Sequence, residues 1–143
     1  MAISHIVAPV DFSPASRKAL DQAIDLASAC GAKLDIVHAV EVLTYRGIEY
    51  REVMSSGSYD EERTQSAEDL EEWADIARQR GIETRCQVIE GDARHAIVDF
   101  AQESGADLIV IGAKGHSRLH DLLVGSVATG VVQRAPCSVH VVR

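Results

Sequence analysis

Apolar and polar positions along the chain fall into two recurring kinds of block. Ile3 to Val10 is an almost unbroken apolar, β-branched run, which predicts a central strand covered on both faces. Ser13-Pro14 then supplies a helix cap and a first-turn proline. Leu20, Ala23, Ile24 and Ala27 follow at the spacing of one helical face, and Gly31 closes the helix. The alternation repeats. Leu34 to Val40 reads as a second strand. A polar helix buries Leu70, Trp73, Ala74 and Ala77 and ends at Gly81. Ile82 to Ile89 alternates, with Glu83, Arg85 and Gln87 on one side, as a half-covered edge strand does. Asp92 caps a third helix with the face Ala93, Ala96, Ile97 and Phe100, closed by Gly105. Leu108 to Ile111 is a buried strand. Gly125-Ser126 opens a short helix through Val127, Ala128, Val131 and Val132, Pro136 stops it, and Cys137 to Val142 is the last strand.

Five strands with helices between them predict an α/β fold, a mostly parallel sheet with helices on both faces. In layers this is a three-layer open sandwich. With 143 residues and no linker, duplication or low-complexity tract, the chain reads as a single domain over residues 1–143. Aromatic residues are only 4%, so Val, Ile, Leu and Ala must build the core. The net charge of −8 disfavours general binding to nucleic acid or to anionic membranes, and leaves room for one small anion held locally. No apolar run approaches the roughly 18 residues of a membrane span, and no secretory signal is seen. Three widely spaced cysteines, Cys30, Cys86 and Cys137, point to free thiols in a reducing cytoplasm.

Two stretches escape the pattern. Glu41 to Ser58 has neither period and reads as a surface loop, with a lid or partner surface as the sharper alternative. The other is Ala113 to Val124. In a doubly wound sheet, ligands bind where strand order switches, at the carboxyl ends of the strands. The candidates there are Pro9-Val10-Asp11-Phe12, His38-Ala39-Val40-Glu41 and the segment from Gly112 onward. That segment reads Gly112-Ala113-Lys114-Gly115, nine residues, then Gly125-Ser126. Glycine lets a backbone approach a ligand closely, and a helix opening offers unpaired amides that suit a phosphate. The spacing fits neither a Walker loop nor a dinucleotide-binding Gly-x-Gly-x-x-Gly.

These motifs resemble the universal stress proteins, and the resemblance covers the whole chain. It includes Pro9-Val10-Asp11-Phe12-Ser13, His38-Ala39-Val40 and the Gly112-x2-Gly115-x9-Gly125-Ser126 signature of that family's ATP-binding branch. It implies the strand order 3-2-1-4-5 and an adenine nucleotide, ATP or AMP, with Mg²⁺ or Mn²⁺ at the phosphates left open. It implies that Asp11 bonds the ribose or helps hold a metal, and that Pro9, Val10 and Ala39 line the adenine pocket. Gly112, Gly115, Gly125 and Ser126 would wrap the phosphates, with Ile111 and Val127 beside them. Ala39 is smaller than the Val often found there, which implies a looser adenine wall. Lys114 reads equally as a phosphate-neutralising cation or as a solvated one.

Rival readings fare less well. A receiver domain would need an acidic cluster around Asp11, and Phe12-Ser13 and Ile89-Glu90-Gly91 do not supply it. A hydrolase needs a nucleophile, a base and an orienting group together, and Cys137 falls at the wrong end of a strand. His116, His120 and Asp121 lack the further ligands of a metal site. His5, His38 and His140 read as structural. The expectation is a cytoplasmic nucleotide-dependent stress sensor or regulator with an unknown protein partner. A slow ATPase, or a dimeric interaction module without turnover, is the alternative. The apolar last strand is a free edge suited to homodimer pairing, as the resemblance also implies.

Overall fold

The structure is a computed structural model, and it describes residues 2–41, 44–45, 48–49, 57–114 and 124–143. In chain order the elements are β1 (His5–Pro9), α1 (Pro14–Cys30), β2 (Lys33–Val40), β3 (Thr44–Tyr45), β4 (Ile48–Glu49), α2 (Gly57–Gln79), β5 (Thr84–Glu90), α3 (Ala93–Ser104), β6 (Leu108–Gly112), α4 (Ser126–Arg134) and β7 (Ser138–Val142). Five strands form one parallel sheet in the order β5-β2-β1-β6-β7. Counted along the chain within that sheet, this is the expected order 3-2-1-4-5. The switch point lies between β1 and β6.

The strands alternate their side chains between two cores. Ile6, Ala8, Leu34, Ile36 and Val110 pack on one face against Leu20, Ala23 and Ile24 of α1 and Leu70, Ala74 and Ala77 of α2. Val7, Val37, Ile109 and Ile111 pack on the other against Ile97 and Ala101 of α3 and Ala128 and Val131 of α4. Ile6, Leu34, Ile36 and Ile109 are fully buried, so truncating any of them to Ala costs about 2–5 kcal/mol.

Local chemistry sets the element ends. Ser13 Oγ accepts from the Ser16 amide and caps α1. Asp92 accepts from the Arg94 amide and caps α3. Gly31 and Gly105 end these helices in the left-handed conformation, at φ of 67° and 69°.

Two sequence expectations are corrected. Val132 does not join the buried face of α4: it is 52% exposed, and Gly130 turns inward instead, against the aliphatic stem of Arg94. Within Glu41 to Ser58, read as unpatterned loop, Thr44–Tyr45 and Ile48–Glu49 pair as a short antiparallel ladder. The ladder is too short to leave a period. Among the described residues, no helix is long and apolar enough to cross a membrane. Cys30, Cys86 and Cys137 are free. Burial and the Glu71 carboxylate push the Cys86 thiol up to about 11, which keeps it protonated and unreactive.

Candidate functional site

The carboxyl ends of β1 and β6 part on either side of the switch point and leave a cavity of about 270 Å³. Pro9, Val10, Asp11, Ala39, Ile111, Gly112, Gly125, Ser126 and Val127 all line it. Thus nine of the ten positions singled out in the sequence converge on one place. The tenth, Gly115, lies outside the described residues, as do His116, His120 and Asp121.

The first wall is built where β1 gives way to α1. Beyond the sheet, the Val10 amide donates to the Val37 carbonyl at 2.8 Å, which keeps the chain beside β2 for one more residue. Asp11 Oδ1 then accepts from the Ser13 amide at 3.0 Å, and the Asp11 amide donates to Ser16 Oγ at 3.3 Å. These bonds fold the turn and set the carboxylate at the cavity wall.

The second wall is the start of α4. Ala113 fixes the base of the segment between β6 and α4. Its amide donates to the Val142 carbonyl, and its carbonyl accepts from the Gly125 amide at 2.5 Å. Gly125 is the cap residue of α4 and provides no side-chain bond to the helix. The first intrahelical bond runs from the Thr129 amide to the Gly125 carbonyl. The amides of Ser126, Val127 and Ala128 therefore precede the helical ladder, and all three residues line the cavity. Unpaired amides at the positive end of a helix dipole favour a negatively charged group.

Gly112 has a structural reason of its own. A Cβ there would lie 3.1 Å from the Ala15 carbonyl oxygen, so its lack of a side chain lets β6 meet the start of α1. At Gly125, by contrast, φ of −62° and ψ of 161° suit any residue. Its conformation does not require glycine.

His38, a strand-end candidate that also reads as structural, lines the cavity, and its Nδ1–H donates to the Val10 carbonyl at 2.8 Å. Ser16, from α1, also lines it. Ala93 and Ile97 do too, and their helical period had marked them only as core. Lys114 lines the cavity as well, half-buried.

A second cavity, of about 420 Å³, lies between β5, β2 and the end of α3. It is larger, yet its main charges are already matched. Asp35, 4% exposed, stands 2.7 Å from His5 Nε2 and accepts from Arg85 Nε at 3.2 Å. A carboxylate committed in this way has little left for a ligand. Among the described residues, no group of three or more His, Cys, Asp or Glu could hold a metal ion by itself.

The fold, with its crevice at the switch point and a bare helix start facing it, defines an α/β protein of the universal stress class. The model of the Universal stress protein family matches residues 2–143, and the chain belongs to that family. It is 33% identical over 144 residues to Universal stress protein MJ0531 of Methanocaldococcus jannaschii, covering 96% of this chain and 81% of that one. Among solved structures it is similar to universal stress protein UspA from Lactobacillus plantarum, with TM-score 0.89 and 28% identity over 100% of this chain and 99% of the other. A universal stress protein in complex with cAMP superposes with TM-score 0.74 at 28% identity, covering 100% and 99% of the two chains. The Archaeoglobus fulgidus protein in complex with dAMP does so with TM-score 0.68 at 25% identity, over 100% of both.

Proposed function

We propose that residues 1–143 act as one nucleotide-binding domain that takes ATP or AMP in the crevice between β1 and β6, as members of the ATP-binding branch do. The observation that carries this reading is the start of α4. Its three amides without a helical acceptor face the same cavity as the Asp11 carboxylate. Relatives of similar fold hold cAMP and dAMP, which supports an adenosine phosphate as the ligand class.

In this reading the phosphates sit at Gly125, Ser126 and Val127, with Gly112, Ile111 and Gly115 beside them. The base lies against Pro9, Val10 and Ala39. Asp11 takes the ribose hydroxyls, or shares a Mg²⁺ or Mn²⁺ ion with the phosphates. One carboxylate plus phosphate oxygens is an ordinary ligand set for Mg²⁺, so the donors present fit such an ion. The biological role is that of a cytoplasmic stress sensor or regulator whose nucleotide state is read by a protein partner. Slow ATP hydrolysis is the alternative, and steady phosphate release by the wild type, lost in Asp11→Asn, would favour it.

The direct test is to denature the purified protein and identify any released nucleotide by mass spectrometry. Stripped protein is then melted with ligand. A ligand at a hundredfold excess over its Kd adds about 2.7 kcal/mol to stability. At roughly 2–4 °C per kcal/mol, ATP or AMP should raise the Tm by several degrees, and CTP should not. No bound nucleotide and an unmoved Tm in millimolar ATP would reject the reading.

A homodimer through β7 belongs to the same proposal. β7 is an edge strand whose Val139 and Val141 are only half-buried, and Val132 of α4 is exposed as well. The opposite edge, β5, carries Arg85 and Gln87 outward. Charged edges resist pairing and apolar ones invite it. Val141→Pro removes a ladder donor and should turn the dimer into a monomer by light scattering. A wild type already monomeric at high micromolar concentration would remove the dimer from the proposal.

A further inference from the structure

Phe12 is the one non-glycine residue with positive φ among the described residues, at 61°. For an L-residue this left-handed conformation costs roughly 1–2 kcal/mol, and an aromatic side chain gains nothing locally in return. Something outside the turn must hold it. Two rings do. The Phe12 and His38 ring centroids lie 4.8 Å apart, tilted by 47°. Trp73 of α2 meets Phe12 edge-on, with centroids 5.3 Å apart at 82°. Both partners are themselves fixed: His38 by its bond to the Val10 carbonyl, and Trp73 under the Arg17 guanidinium, 5.6 Å from the ring. Aromatic pairs of this kind are worth about as much as the backbone conformation costs.

The position of this held residue matters. Phe12 stands between Asp11, which lines the crevice, and Ser13, which caps α1. The Asp11 Oδ1 to Ser13 amide bond spans it, so the left-handed turn and that bond are formed together. We propose that Phe12, clamped by the rings of His38 and Trp73, is the positioning residue of the crevice, holding the turn that points the Asp11 carboxylate at the ligand. This rests on the nucleotide reading above and adds to it the element that orients its acidic group. Strain held at a ligand site by surrounding structure is a form of pre-organisation. It also ties the crevice to α2, which otherwise contributes no side chain to it.

The test separates ring packing from backbone conformation. Phe12→Ala and Phe12→Gly both lose the two ring contacts, so both should melt below the wild type. Only Gly adopts positive φ without penalty. Affinity for ATP with Mg²⁺ is measured by titration calorimetry on stripped protein. Apparent affinity falls with the fraction of molecules in the competent conformation. Phe12→Ala should therefore bind about fivefold to thirtyfold more weakly than the wild type. Phe12→Gly, which populates positive φ about half the time, should lose no more than roughly twofold despite its lower Tm. Rescue by glycine without recovery of stability is the signature of positioning. Equal losses in both variants, or no loss in either, would overturn the proposal while wild-type binding keeps the nucleotide reading intact. Failure of the wild type itself to bind ATP would remove both.

Discussion

Helices α1 and α4 both begin at the crevice between β1 and β6, and they meet it in opposite states. At α1 the Ala15 amide alone precedes the helical bonds without an acceptor among the described residues, and Ala15 does not line the crevice. Pro14 has no amide hydrogen, the Ser16 amide donates to Ser13 Oγ, and the Arg17 amide donates to the Ser13 carbonyl. Asp11 adds a negative charge beside this end. At α4 the cap is Gly125, which has no side chain, and the amides of Ser126, Val127 and Ala128 are left before the ladder starts at Thr129. An anion gains hydrogen bonds and dipole attraction at α4, and at α1 it meets fewer open donors and a carboxylate. The two ends thus divide one crevice into an anion-accepting side and a side suited to hydroxyls or a cation. The contrast with the cavity beneath α3 makes the same point. That space is larger, but its buried carboxylate, Asp35, is already matched by His5 Nε2 and Arg85. In the proposed binding mode, open donors and not volume mark the site.

The comparison can be broken by giving α4 the cap that α1 has. Gly125→Asp is compatible with the backbone at φ of −62° and ψ of 161°. Its carboxylate would take the free amides and occupy the anion position. Affinity for ATP, measured by calorimetry, should fall by roughly a hundredfold or more, because two or more bonds to a charged group are lost. Stability should hold or rise by a few tenths of a kcal/mol, since Asp is the better cap. Ser126→Ala is the gentler version. It removes one hydroxyl, and a bond of about 1.5–3 kcal/mol to a charged ligand, without altering the fold.

Two further variants act mainly on stability. Gly112→Ala puts a methyl against the Ala15 carbonyl, and overpacking of this kind costs about 1–3 kcal/mol, read as a lower Tm. Ser13→Ala removes the α1 cap and should cost about 1 kcal/mol of stability, with less effect on nucleotide affinity than Ser126→Ala. The smallest effect is at α3, whose start lies beside the crevice and is capped by Asp92. Arg94 first, and His95 second, hold the Asp92 carboxyl below its usual range. A depressed folded-state value contributes stability that is present above the ordinary carboxylate range and is lost as pH falls below it. Asp92 is partly exposed, so solvent screens much of this. Asp92→Asn should slightly flatten the acid limb of a Tm-against-pH curve and leave its neutral region otherwise unchanged in shape.

Much of this arrangement was legible in the chain itself. Unbroken apolar runs, the alternation of β5 and the 3.6 period of the helices placed every strand of the main sheet and all four helices, because the central strands are buried on both faces and the helices on one. Gly31 and Gly105 marked helix ends because the left-handed conformation there favours glycine. Strand ends at a switch point must converge, which marked the candidate segments, and the resemblance to the universal stress proteins picked out the individual residues. What stayed hidden has physical causes. Val132 repeats the helical spacing of Val131 but points away from the sheet, and α4 is too short to average out one such residue. Ala93 and Ile97 fall on the buried face of α3 and so read as core, although they also line the cavity. Gly112 reads as a ligand-approach glycine, and the close pass of the Ala15 carbonyl is visible only in three dimensions. The left-handed turn at Phe12 leaves no mark, because it is imposed by rings 26 and 61 positions further along the chain.

If ATP binds as proposed, the first amides of α4 receive its negative charge. A ¹H–¹⁵N correlation spectrum of the stripped protein, followed through titration with ATP and Mg²⁺, tests it most directly. A charged acceptor draws an amide proton into a strong hydrogen bond and moves its resonance downfield. The Ser126, Val127 and Ala128 amides should shift most and saturate together, while the Ser16 and Arg17 amides, already bonded within α1, move little. Saturating shifts confined to the start of α1, or binding that leaves the three α4 amides in place, would mean that the anion is held elsewhere.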